Sequence, residues 1–191
     1  MRPRDEQKQS RIYESAINLI NELGFDGASV AKIAQQAEVS PATIYCYFEN
    51  KQDMLNKLFL SLCEELGGRF LTLLSNDEQV QEGLRKVWYD LYHHAQESPA
   101  HFRFLEQFCN CPMIHQVSQD QAQNYFAPVN RLYEQGRTNA IIKPMANEVL
   151  DAHFFFPLIQ LLKLQFNQRI LLTPERLKQS YRASWDAIKA T

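Results

Sequence analysis

The chain lacks any apolar run of the roughly 18 to 20 residues that a helix needs to cross a bilayer. Its richest apolar stretch runs from His153 to Leu162 and ends at Lys163. Met1 is followed by RPRDEQKQSR, which lacks the apolar segment of a secretory signal peptide. We therefore expect a cytoplasmic protein with no membrane partner, whose 4 cysteines are thiols rather than disulfides.

The chain also lacks a large excess of either charge. Its net charge of -2 argues against a polycation that coats nucleic acid over its whole surface. Positive charge is instead concentrated near the N-terminus, at Arg2, Arg4, Lys8 and Arg11. Two interpretations of this cluster stay open, which are a solvated tail and a set of contacts to DNA phosphates.

The sequence also lacks the residue patterns that are typical of β-strands and of common catalytic sites. No stretch alternates apolar and polar residues as a half-buried strand does, and there is no internal repeat or low-complexity linker. The chain has no glycine-rich phosphate loop, no HExxH motif and no nucleophile elbow. We therefore predict an all-α protein that is not an enzyme and holds no cofactor.

Helix-breaking residues divide the chain after residue 49 into six predicted helices. They are expected over 50–74, 78–97, 99–109, 119–136, 145–167 and 173–189. The pair Gly67-Gly68 is a candidate bend in the first of them, and Pro157 is expected to kink the fifth.

The most informative stretch, residues 29–51, reads SVAKIAQQAEVSPATIYCYFENK. It predicts two short helices joined by a tight turn. Ser29 and Ser40 are residue types that cap helix N-termini. Pro41 follows Ser40 at the first helical position, where a missing N–H costs nothing.

The second of these helices has two kinds of side chain. Ile44 and Phe48 stand four residues apart and would anchor the helix, while Thr43, Tyr45 and Tyr47 carry hydroxyls. A short exposed helix behind a supporting helix is the geometry that enters a DNA major groove. Downstream of it, an asparagine three residues before an aspartate predicts the cap of a third helix, at Asn50 and Asp53.

In this region the chain resembles the TetR family of one-component transcriptional regulators. The resemblance lies in Val39 to Leu55, VSPATIYCYFENKQDML, and in the upstream helix that Gly24 stops. It is specific over about the first third of the chain, and beyond that only the helical character agrees. One departure is Glu38, where the family usually has glycine. If this residue has a positive φ, glutamate costs on the order of 1 kcal/mol there.

The resemblance implies a homodimeric repressor that a small apolar or amphipathic effector releases from double-stranded operator DNA. It implies a DNA-binding domain at 1–52, with its helix-turn-helix at 29–48. The remainder, 53–191, would bind the unknown effector and form the dimer. The fold expected is therefore an N-terminal three-helix helix-turn-helix domain plus a larger C-terminal helical domain.

The resemblance also assigns DNA contacts. Phosphate contacts fall to Ser29, Tyr47 and Lys51, and base-edge or groove contacts to Pro41, Ala42, Thr43, Tyr45 and Cys46. Lys32 and Ser40 complete the predicted interface. Because the second helix is poor in Arg, Asn and Gln, hydrogen-bonded base readout is scarce. Methyl contacts to thymine, phosphate contacts and DNA shape must then supply much of the specificity.

Aromatic residues are abundant in the predicted C-terminal helices. Most of them are expected in the core, and the alternative is that some line an effector cavity. The effector residues predicted on that basis are Trp88, Tyr92, Phe104, Phe108, Tyr125, Phe126 and Phe155.

The predicted helix 145–167 is apolar on most sides, which requires it to be buried on most sides. One stripe contains Val149, Ala152, Phe156 and Ile159. The other contains Leu150, Phe154, Leu158, Leu161 and Leu162. A second copy of the chain is the expected cover. The predicted dimer residues are Val129, Leu132, Phe154, Leu158, Leu161 and Leu162.

A different function is suggested by Cys109 and Cys111, with His115 nearby. Thiolates bind soft metals and sense oxidants, so a metal- or thiol-responsive protein, with or without DNA binding, is the alternative. The set is small and has no second cysteine pair, and we predict no metal site.

Overall fold

The computed structural model describes residues 3–75, 78–109, 111 and 116–190. These residues form helices and loops, with one isolated antiparallel bridge between Ile142 and Lys189. The prediction of an all-α fold is confirmed. None of the helices in the described ranges has both the length and the apolarity to span a membrane. The helices are α1 Pro3–Gly27, α2 Val30–Gln36, α3 Pro41–Tyr47, α4 Lys51–Leu73, α5 Val80–Glu97, α6 Pro99–Cys109, α7 Gln116–Tyr125, α8 Ala127–Thr138, α9 Asn147–Phe154, α10 Phe156–Phe166 and α11 Pro174–Ile188.

The chain divides into two compact units. The first contains Met1–Cys63 and Ala100–Ala122, and the second contains Glu64–Pro99 and Gln123–Thr191. The first unit is thus larger than the domain predicted at 1–52, because the first half of α4 and nearly all of α6 pack with it.

The first unit joins α6 to α1 by aromatic and polar contacts. The rings of Phe104 and Phe108 stack at 5.4 Å, and Phe25 and Phe59 lie 5.8 and 5.5 Å from Phe108. Beside them the Asn21 amide donates to the carbonyl of residue 100 at 2.9 Å. Such offset and tilted ring pairs add about 0.5–1.5 kcal/mol each beyond area burial. This cluster therefore fixes the end of α1 on which the candidate site is built.

The second unit is centred on Trp88, which has no exposed surface. Its ring lies 5.1 Å from that of Tyr89 and 5.5 Å from that of Tyr181. Its indole Nε1–H donates to the carbonyl oxygen of Phe154, the last residue of α9, at 3.0 Å. Helix ends leave carbonyls without intrahelical donors, and Trp88 satisfies this one inside the core.

Two of the predicted helices are each divided into two helices near a proline. The predicted helix 145–167 is divided at Phe155 into α9 and α10, with Pro157 in the first turn of α10. The kink expected at Pro157 is confirmed. The predicted helix 119–136 is divided at Phe126, and Pro128 lies in the first turn of α8. That prediction of one helix was wrong, because Pro128 lacks the N–H that a continuous helix requires.

Most of the predicted dimer residues are already covered within a single chain. Phe154, Leu158 and Leu162 have no exposed surface within a single chain, so no partner is needed to cover them. Val129 and Leu132 are likewise buried, and Leu161 is half-buried. The stripe that stays at the surface is the other one, where Val149 is 42% exposed and Phe156 is 57% exposed.

The pair Gly67-Gly68 does not interrupt α4, which continues from Lys51 to Leu73. The two glycines differ in their surroundings. A Cβ at Gly67 would meet the backbone of Tyr125 and lie 2.9 Å from its Cβ, whereas a Cβ at Gly68 would have nothing within 4 Å. Gly67 therefore permits a close approach, and Gly68 only weakens the helix.

This difference gives a matched pair of variants. Gly67→Ala is expected to lower the free energy of unfolding by about 1–3 kcal/mol through overpacking. Gly68→Ala is expected to raise it by up to about 1 kcal/mol through helix propensity. Urea denaturation of both proteins measures the two values. Equal effects of the two substitutions would show that α4 does not approach Tyr125 in this way.

Candidate DNA interface

Two serine caps hold the predicted helix-turn-helix. The Ser29 hydroxyl accepts from the backbone N–H of Lys32 at 3.3 Å, and the Ser40 hydroxyl accepts from that of Thr43 at 3.1 Å. Pro41 occupies the first position of α3. Each cap satisfies one of the N–H groups that a helix start leaves free, and both predicted caps are confirmed.

The turn between α2 and α3 depends on Glu38. Its φ of 56° lies in the left-handed region, so the condition under which glutamate is costly at this position is met. The Glu38 carboxylate lies 3.7 Å from the Arg11 guanidinium, with 83% of its side chain exposed. An ion pair this exposed contributes little. The tight turn is therefore kept at a backbone cost, and its carboxylate partly neutralises a cation of α1.

Helix α3 has a buried face and an exposed face. Ile44 is 1% exposed and Phe48, which follows the helix, is 2% exposed. The ring of Tyr13 on α1 lies 5.7 Å from that of Phe48. Tyr45 is 56% exposed. The other predicted groove residues, Pro41, Ala42, Thr43 and Cys46, are exposed or half-exposed.

The start of α4 closes the motif with a second set of caps. The side-chain oxygen of Asn50 accepts from the backbone N–H of Asp53 at 2.9 Å. In return the Asp53 carboxylate accepts from the backbone N–H of Glu49 at 3.0 Å. This reciprocal arrangement resembles a capping box and confirms the cap predicted at Asn50. It fixes the chain directly after α3.

Two cations of the predicted DNA interface, Lys32 and Lys51, already have partners inside the first unit. The Lys51 ammonium donates to the carbonyl oxygen of Phe25, and the Lys32 ammonium donates to that of Gly27 at 3.0 Å. Both carbonyls lie just after Gly24, whose φ of 74° breaks the regular geometry of α1 and confirms the stop predicted there. Burial lowers the pKa of Lys51. The two lysines thus neutralise the negative end of α1.

Lys8 differs from these two lysines. It lies within α1, so the tail interpretation of the N-terminal cations is wrong for this residue. No acidic partner for Lys8 is found among the described residues. It lines a shallow hollow beside α3 together with Ser40, Ala42, Thr43, Cys46 and Tyr47. In the sequence, the position of Lys8 is indicated by its spacing, since it stands four residues, or about one helical turn, before the core residue Ile12.

The predicted effector residues do not form one cluster. Phe104 and Phe108 belong to the first unit and are fully buried there. Trp88 is fully buried in the second unit. The remaining four, which are Tyr92, Tyr125, Phe126 and Phe155, also belong to the second unit and are half-exposed. Their role in binding an effector stays a prediction.

The cysteine pair does not have the features of a sensor. Cys109 is exposed as a residue, yet the protein atoms around its sulfur raise the pKa of the thiol to about 11. A protonated thiol is a weak nucleophile and a weak metal ligand. Among the described residues no three His, Cys, Asp or Glu side chains come together as a metal site requires. His115 lies outside the described residues.

Two family models match the chain. Residues 12–58 match the family described as "Bacterial regulatory proteins, tetR family". Residues 80–189 match "Tetracyclin repressor-like, C-terminal domain". The first range contains the caps and α3, and the second covers more than half of the chain.

Individual proteins that resemble this chain are also transcriptional or metabolic regulators by name. A crystal structure of a TetR family transcription regulator from Marinobacter aquaeolei is 28% identical, covers 100% of both chains and has a TM-score of 0.91. An uncharacterized HTH-type transcriptional regulator from Haemophilus influenzae is 22% identical over 94% of each chain. A fatty acid metabolism regulator protein from Bacillus subtilis is 40% identical over 70 residues. That last match spans 37% of this chain and only 34% of the relative.

The caps, the exposed face of α3 and the two family matches lead to one conclusion. The chain belongs to the TetR family of bacterial transcriptional regulators, with a helix-turn-helix at its N-terminus.

Proposed function

We propose that this regulator is a homodimeric repressor that places α3 of each subunit in the major groove of an operator. The observation that supports this most directly is the division of α3, whose Ile44 is buried while Ala42, Tyr45 and Cys46 face outwards. Because the exposed side chains of Ala42, Tyr45 and Cys46 are not part of the core, they are available for contacts to bases. Two copies, about 34–36 Å apart or somewhat more, would read two half-sites.

We also propose a changed set of phosphate contacts. Ser29 and Tyr47 keep the role that the family resemblance gives them. Lys8 takes the place of Lys51, because the Lys51 ammonium is engaged with the carbonyl of Phe25 and Lys8 borders the hollow at α3. In this proposal Lys51 positions the motif, and Lys8 supplies the charge.

The dimer face is assigned to the surface stripe of α9 and α10. Val149, Ala152, Phe156 and Ile159 follow one another at helical spacing, and the first three are exposed. An exposed apolar patch bordered by polar residues is typical of a protein–protein interface. A twofold axis would bring the same stripe of a second copy against it.

An apolar or amphipathic effector is proposed to bind in the aromatic interior of the second unit. Two buried hydroxyls of α11, those of Tyr181 and Ser184, have no hydrogen-bond partner among the described residues. Burial raises the pKa of Tyr181 to about 12, which keeps it a donor. Such groups suit the polar end of a ligand. The ligand must prefer the conformation with wrongly spaced α3 helices, since binding without preference shifts no equilibrium.

The DNA proposal is tested with Lys8→Met and Lys51→Met on a duplex selected from a random pool by the wild-type protein. Loss of a phosphate contact reduces the slope of log K against log salt by about 0.9 per subunit. Lys8→Met is expected to do this without altering stability. Lys51→Met is expected to leave the slope unchanged and to lower the free energy of unfolding by about 1 kcal/mol. The opposite pattern would return the phosphate contact to Lys51, and failure to select any sequence would refute the DNA proposal.

The dimer proposal is tested with Phe156→Glu. This variant is expected to be monomeric by light scattering and to lose operator binding, because two half-sites are no longer held by one particle. Leu171→Glu is the control, since Leu171 is 71% exposed and lies outside the helices. A dimeric Phe156→Glu protein would place the interface elsewhere.

The effector proposal is tested with Tyr181→Phe and Ser184→Ala. Both are expected to keep operator affinity and to weaken the release caused by an amphipathic probe such as a medium-chain fatty acid. Operator release in an anisotropy titration is the measurement. Unchanged release with a free energy of unfolding raised by about 1–3 kcal/mol would mean that the hydroxyls are only an unsatisfied cost.

A further inference from the structure

The side chain of Thr43 is oriented by the cap of its own helix. Besides accepting the Thr43 N–H, the Ser40 hydroxyl lies 2.9 Å from the Thr43 hydroxyl, so the two hydroxyls share a hydrogen bond. The Cβ of threonine carries its hydroxyl and its methyl in different directions. With the hydroxyl turned to the cap, the γ-methyl is the group that Thr43 can offer to DNA.

Two of the side chains that line the hollow with Thr43 are small and weakly polar. Ala42 and Cys46 are exposed, and both line the same hollow as Thr43. The hollow has no carboxylate, amide or guanidinium in its lining, and its one cation is Lys8. The Ser40 hydroxyl in that lining is engaged with Thr43, and Tyr47 adds a phenol. The remaining lining side chains, Ala42, Thr43 and Cys46, offer two methyl groups and a thiol.

The four bases differ in how they meet such a surface. In the major groove guanine, adenine and cytosine present hydrogen-bonding groups, and thymine adds a C5-methyl. Covering a donor or acceptor without pairing it is unfavourable, because the group loses its hydrogen bonds to water. The part of the hollow formed by Ala42, Thr43 and Cys46 has no strong pairing group, so it penalises the polar edges and accepts the methyl. Lys8 at its border suits the phosphate backbone nearby.

We propose that the hollow formed by Ala42, Thr43 and Cys46 binds the C5-methyl of a thymine against the γ-methyl of Thr43. The Thr43 hydroxyl then serves the helix cap, and its methyl sets specificity at that base pair. This inference rests on the proposed DNA-binding function, which it deepens by naming the chemical group that is read.

The experiment uses the full-length protein and the duplex that it selects from a random pool. Each thymine is replaced in turn by deoxyuridine, which removes the C5-methyl and leaves base pairing intact. One position per half-site is expected to lose affinity about fourfold, the equivalent of roughly 0.8 kcal/mol for one buried methyl group. Replacement in both half-sites is expected to cost about fifteenfold.

Two variants of Thr43 connect this loss to the residue. Thr43→Ser keeps the hydroxyl and removes the methyl, so it should bind the thymine duplex less tightly and lose most of the uracil penalty. Thr43→Val keeps a methyl and removes the hydroxyl, so it should retain the penalty despite a weakened cap. Thr72→Ser is the matched control, because Thr72 is an exposed threonine whose hydroxyl donates to the carbonyl of Gly68 at 2.9 Å. It should behave as the wild type.

The possible results separate the inference from the function on which it rests. If a duplex is selected and no uracil position costs affinity, or the penalty persists in Thr43→Ser, thymine-methyl recognition by Thr43 is overturned while DNA binding stands. If no sequence is selected, the proposed function fails and this inference fails with it. A penalty that is present in the wild type, Thr43→Val and Thr72→Ser and lost in Thr43→Ser supports the inference.

Discussion

A helix of seven residues is not stable in water by itself, and the candidate DNA-binding surface depends on one of this length. Isolated helices shorter than about 12–15 residues are marginal even with favourable sequences, and α3 has 7. It persists because Ser40 caps its start and because Ile44 and Phe48 are buried beneath it. The position of every exposed side chain on α3 is therefore set by contacts on the opposite side of the helix.

Helix ends are the second recurring constraint, and the chain uses side chains from elsewhere to satisfy them. After Gly24 the final carbonyls of α1 accept from Lys32 and Lys51. At the end of α9 the Phe154 carbonyl accepts from Trp88. In each case a break at glycine or before proline leaves carbonyls without donors from their own helix, and a side chain from outside the helix donates to them. Charge that the sequence suggests for DNA is thus partly committed to the fold.

Local features were predictable from the sequence, and long-range choices were not. The caps at Ser29, Ser40 and Asn50 depend on neighbours three residues away, so the sequence predicts them. The left-handed turn at Glu38 follows from the family resemblance. The sequence does not show which apolar stripe of α9 and α10 is covered within one chain, because two apolar stripes on one helix look alike until tertiary packing covers one. The partner of Lys51 was missed for the same reason, since Phe25 lies 26 positions away in the chain.

The alternation of buried and exposed positions in α3 has a consequence for how this protein can change. Apart from Thr43, whose hydroxyl also pairs with the cap at Ser40, the side chains that stabilise the helix and those that face outwards are different residues within a single short segment. Substitutions at Ala42 or Cys46 remove little or no buried apolar surface, and exposed positions usually change stability by less than about 0.5 kcal/mol. In the proposed function, the preference of α3 for one DNA sequence over another is therefore free to drift by single mutations while the fold is retained. Paralogues arising from such a gene could acquire separate target sites before their cores diverge.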